Sequence, residues 1–85
     1  MCPAMGRTTR RFDAAATFGQ RVRRRRNELG LSQIALGELV GLHFTYISSV
    51  ELGERNISLE NIVRLAAALA VDPGELVTGL APTRP

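Results

Sequence analysis

Read for the spacing of apolar residues, the chain is helical from about residue 14 onward, and no stretch alternates in the manner of a strand. At about 100° per residue, Phe18, Val22 and Leu29 share a narrow stripe, which predicts a first helix closed by Gly30. Thr17 with Gln20 three residues on forms a capping-box start, and Asp13 ahead of three alanines is a rival start. Ser32 caps a second helix, "QIALGELV", that stops at Gly41. A third, "FTYISSVEL", runs to Gly53, and "GERNI" follows as a loop. Ser58 caps a fourth helix with the stripe Leu59, Ile62, Val63, Ala66 and Leu69. Asp72, Pro73 and Glu75 supply a cap, a first-turn proline and a first-turn acid for a short fifth helix carrying Leu76, Val77 and Leu80. The fold class is all-α, a compact five-helix bundle over residues 14–80. An aperiodic arm, residues 1–13, precedes it, and a tail, "APTRP", follows at 81–85.

Composition narrows the class. Eighty-five residues make one small domain, and 45% apolar residues suffice for a core and argue against global disorder. All eleven basic residues are arginine, against eight acids, for a net charge of +3. That balance favours an acidic partner such as nucleic acid. The arginine-only, alanine-rich usage points to a GC-rich bacterial genome. The single cysteine, Cys2, excludes an internal disulfide and reads as a free thiol in the arm. The longest apolar run, "AAALAV", is too short to cross a membrane, and the start lacks the apolar core of a signal peptide. A cytoplasmic, nucleoid-associated protein is expected. One histidine, one cysteine and no glycine-rich phosphate cradle leave no plausible metal set, cofactor or enzyme site. No small-molecule ligand is expected.

Residues 33–52, "QIALGELVGLHFTYISSVEL", carry the functional signal. Two short helices meet at Gly41, where a left-handed backbone lets the second leave at a steep angle. Leu36, Val40, Leu42, Ile47 and Val50 point inward from both, and Gly37 is small where the helices approach. The start of the second helix is left facing solvent. With Gln33 opening the first helix, "TYIS" in the second and "E-x-G-E-R-N" after it, the stretch resembles the helix-turn-helix of phage repressor and Cro-like DNA-binding proteins, the Xre family. The resemblance spans about residues 17–79.

It implies that the second motif helix lies in the major groove of double-stranded DNA with its N-terminal side chains at base edges. Phe44, Thr45 and Ser49 are then the base-reading residues, Thr and Ser by hydrogen bonds and Phe44 by packing on a thymine methyl. His43, Tyr46 and Ser48 face phosphates or flanking bases. Gln33 lies at a helix N-terminus suited to a phosphate, and Arg55 and Asn56 contact the backbone from the loop. Local alternatives stand beside these roles. Phe44 can plug the protein's own surface, Tyr46 can pack on the fourth helix, and Asn56 can shape its loop. His43 departs from the family, which usually has a Ser or Thr cap there, so it either caps weakly or is present for contact.

The run of arginines at 23–26 is divided by helical geometry. In the family an Arg at the position of Arg26 pairs with a Glu at that of Glu51, linking the first helix to the recognition helix, so Arg26 is assigned to structure. Arg25 lies in the apolar stripe where many relatives have leucine; its stem covers core while its head reaches water. Arg21, Arg23 and Arg24 spread over the other faces and add a diffuse positive field. Leu52 is a further departure, apolar where relatives are often polar or basic.

A single motif reads about 4–6 base pairs, and a dimer reads two half-sites about 34 Å apart. A homodimer on a pseudo-palindromic operator is therefore expected, through Leu65, Leu76, Val77 and Leu80; the alternative is that these four close the monomer core. With no room left for a ligand-binding domain, control is expected from concentration, dimerisation or a partner. "TYISSVELGERNISLENI" is similar to stand-alone controller proteins of restriction–modification operons, which implies an autoregulatory transcription regulator. The rival is an antitoxin that occludes a toxin and represses its own operon; the short arm is the one tail available for such wrapping.

Overall fold

The computed structural model describes residues 13–82. The expected arm apart from Asp13, Cys2 within it, and residues 83–85 of the tail lie outside the described residues. Within them the chain forms five helices: α1 Asp13–Glu28, α2 Gln33–Val40, α3 Phe44–Glu51, α4 Leu59–Leu69 and α5 Pro73–Val77. α1 lies against α3, α4 and α5; α2 packs on α3 and α4; α4 packs on α5. The core between them is Phe18, Val22, Leu36, Val40, Ile47, Val50, Leu65, Ala66, Leu69 and Leu76.

The caps follow side-chain chemistry. Ser32 Oγ accepts from the Ala35 N–H, Ser58 Oγ from Asn61 and Asp72 Oδ2 from Gly74. Gly41 ends α2 at φ 83°, and its N–H and that of Leu42 both return to the Gly37 carbonyl. That left-handed residue turns the chain into α3. α4 ends less comfortably: Ala70 adopts φ 59°, a conformation costly for any side chain with a Cβ.

Of the two starts the sequence offers, α1 takes Asp13 and not Thr17, because the alanines continue the helix upstream and the aspartate favours its first turn. Three expectations need correction. Leu29 lies beyond the end of α1 and is 40% exposed. On α4 the buried line is Leu65, Ala66 and Leu69; Val63 is rotated roughly 110° from it and Leu59 sits in the first turn, so both face solvent. Leu65 and Leu76 are buried in the monomer core, the alternative weighed for them, and offer almost no surface to a second copy. Of the four residues expected at an interface, Val77 is exposed and Leu80 half-buried.

Two arginines of α1 hold the bundle closed at helix ends. Arg21 Nη1 donates to the carbonyls of Leu76 at 3.1 Å and Thr78 at 2.6 Å, at the end of α5. Arg25 Nε donates to Leu69 O at 2.9 Å, at the end of α4, while its Nη1 pairs with Glu28. Each brings a cation to unsatisfied carbonyls at the negative end of a helix. Arg25 thus does more than cover core with its stem. Arg23 and Arg24 are exposed.

Candidate nucleic-acid interface

The tip of α3 is positioned from behind. Glu51, 8% exposed, ends α3 and accepts three hydrogen bonds: from Arg26 Nε at 2.6 Å, Arg26 Nη2 at 3.0 Å and Gln33 Nε2 at 3.1 Å. Arg26 Nη1 also donates to Leu31 O at 2.9 Å. One carboxylate therefore ties α1, the start of α2 and the end of α3 together. Its bidentate geometry is the strong form of a charge pair. The hydrogen bond that Arg26 donates to Glu51 raises the Arg26 pKa above its ordinary value, against the opposing pull of burial. The guanidinium is held charged in this way, and a raised arginine pKa titrates far above neutrality, so the arginine side of the pair is insensitive to pH near neutrality. Backbone contact completes the joint. A Cβ on Gly19 would lie 2.2 Å from Val50 O and 2.8 Å from Glu51 O, so α1 touches the backbone of α3 directly. The pattern of apolar residues carries no trace of this contact.

With its far end fixed, α3 presents His43, Phe44 and Thr45 to solvent. His43 caps the helix after all: its Nδ1 accepts the Thr45 N–H at 3.1 Å. The Thr45 Oγ1 lies 2.8 Å from the same nitrogen. The Phe44 ring, 42% exposed, stacks on the imidazole with centroids 4.8 Å apart and planes at 29°. Phe44 is therefore an exposed ring stacked on its neighbour.

Next along α3, Tyr46 is half-buried and its hydroxyl accepts from Asn61 Nδ2 of α4 at 3.2 Å. Ser49 donates to the Tyr46 carbonyl at 2.9 Å and accepts from Arg55 Nε at 3.0 Å. The Arg55 guanidinium lies 5.1 Å from the centre of the Tyr46 ring, close enough for a cation–π attraction. Ser49 thus spends its proton inside the chain, and the exposed Arg55 is held against α3 through its Nε. Ser48 is half-buried and Asn56 exposed. Gln33, expected at a phosphate, commits its amide N–H to Glu51 and retains its carbonyl oxygen. Leu52 is 65% exposed.

Among the described residues, no three His, Cys, Asp or Glu side chains gather where they could hold a metal ion, and no helix is long and apolar enough to cross a membrane. An exposed helix tip at a glycine corner, braced from behind by a bidentate ion pair, defines a helix-turn-helix domain. The helix-turn-helix family model matches residues 22–76, and the chain belongs to that family, with restriction–modification control proteins and phage repressors among its relatives. It is 46% identical to the control protein C.BamHI of Bacillus amyloliquefaciens over 61 residues, 71% of this chain and 75% of that protein. The crystal structure of the restriction-modification controller protein C.AhdI from Aeromonas hydrophila superposes with TM-score 0.71 at 50% identity, covering 73% of this chain and 94% of that one. The c2 repressor of Salmonella phage P22, solved in complex with a synthetic operator, gives TM-score 0.69 at 39% identity over the same shares.

Proposed function

We propose that this chain is a sequence-specific, duplex-DNA-binding transcription regulator that controls its own operon, in the manner of a restriction–modification controller. The observation that carries the reading is the rigid presentation of His43, Phe44 and Thr45 at the start of α3, with Arg55 beside them. Those side chains suit the wide groove: Phe44 packs on a thymine methyl, Thr45 bonds a base edge, and Arg55, Asn56, Ser48 and the second amide N–H of Gln33 flank the backbone. Ser49 and Tyr46 support Arg55.

The protein acts as a two-fold homodimer on a pseudo-palindromic operator. Val77 and Leu80 supply apolar surface for the second copy from the α5 end, and Leu59 and Val63 on α4 are also exposed. Selection of bound sites from random duplex DNA tests the whole reading. The expected product is a palindrome whose half-site centres lie about one helical turn apart. A single unrepeated half-site would remove the dimer, and an absence of any enriched sequence would remove base reading altogether.

A further inference from the structure

The cap at the start of α3 has a consequence for which bases the protein accepts. The His43 Nδ1 receives the Thr45 N–H, so that nitrogen carries a lone pair and no proton. The imidazole is therefore protonated at Nε2. The Thr45 hydroxyl, 2.8 Å from the same Nδ1, shares that one lone pair with the N–H by donating its own proton. Stacking on Phe44 holds the imidazole plane in place. The exposed face of Thr45 Oγ1 is left with lone pairs alone.

We propose that His43 fixes the polarity of Thr45, making it an acceptor-only reader that selects a base with an exocyclic amino group in the major groove, adenine N6 or cytosine N4. This rests on the proposed reading of duplex DNA by α3, and deepens it. A free threonine hydroxyl donates or accepts and so tolerates every base pair. With its proton committed to His43, Thr45 meets the oxygen of thymine O4 or guanine O6 lone pair to lone pair, and is satisfied by an amino group. Thr45 touches the base, whereas His43 acts through it as a positioning residue and keeps Nε2–H as a separate outward donor.

The test uses the full chain and its own selected site. The position read by Thr45 is the one whose preference Thr45→Ala relaxes. At that position the wild type is expected to select adenine or cytosine on the contacted strand. Replacing the adenine by purine, or the cytosine by 2-pyrimidinone, removes the amino group and is expected to weaken binding roughly 5- to 10-fold, the worth of one hydrogen bond. Thr45→Ala should show no such loss. His43→Ala frees the hydroxyl to rotate, and its amino-over-carbonyl preference should fall to within about twofold. His43→Asp, an acceptor-only cap, should keep the preference even though its charge weakens overall affinity. Circular dichroism of each variant confirms the helix. A Thr45 position that prefers thymine or guanine, or that ignores loss of the amino group, overturns the proposal while leaving base reading by α3 intact. Failure to select any site overturns base reading itself, and the proposal with it.

Discussion

Replacing Arg26 by alanine removes both hydrogen bonds to Glu51 and the one to Leu31 O, and leaves a carboxylate of 4% side-chain exposure with the Gln33 amide alone. Two limits bracket the loss. An exposed ion pair is worth about 0–1 kcal/mol. Breaking a buried one costs about 3–5 kcal/mol, because the surviving charge stays desolvated and unmatched. The Arg26 side chain is 11% exposed, which places this pair near the buried limit, at about 3 kcal/mol. A domain of this size has about 4–10 kcal/mol in total. At about 4–8 °C per kcal/mol, the melting temperature should fall by 12 °C or more. Thermal and urea unfolding followed by circular dichroism measure this directly. The double variant Arg26→Met with Glu51→Leu should recover most of the loss, since no charge remains buried. A drop under about 1 kcal/mol for Arg26→Ala would refute the claim that this pair holds α3 in place.

The other predictions address the joint, the loop and the dimer. Gly19→Ala forces a methyl against the Val50 carbonyl and should cost about 3 kcal/mol by the same unfolding assay; a neutral result would mean that α1 and α3 do not touch. Arg55→Ala should weaken binding to all duplexes alike and lower the salt dependence by about one unit, read from affinities across a salt series. Loss confined to the selected site would instead make Arg55 a base reader. Val77→Glu, at an exposed position, should shift sedimentation from dimer to monomer while circular dichroism still reports folded helices; an unchanged dimer would move the interface elsewhere.

Much of the bundle was legible because local chemistry and global packing agree at Ser32, Gly41, Ser58 and Asp72, each of which sits at the helix end its side chain or backbone predicts. The errors arose where the apolar pattern is ambiguous. α4 carries apolar residues on two adjoining faces, so periodicity alone includes Leu59 and Val63 in its stripe and does not separate the buried Leu65 from a surface position. Helix termini taking their bonds from distant arginines were invisible, since Arg21 and Arg25 reach carbonyls 44 and more residues away. The Gly19 contact leaves no local signal, because what matters there is an absent side chain opposite a backbone met only in three dimensions. The recognition tip was read in outline. His43 looked like a poor cap, yet an imidazole nitrogen is an acceptor, and that property governs the Thr45 hydroxyl beside it.

The most direct measurement compares affinity for a selected duplex with affinity for unrelated duplex DNA at physiological ionic strength. Base reading by the start of α3 predicts a ratio of about a thousandfold or more, reduced by Thr45→Ala at one base position. A ratio near one, from protein shown to be folded, would contradict it.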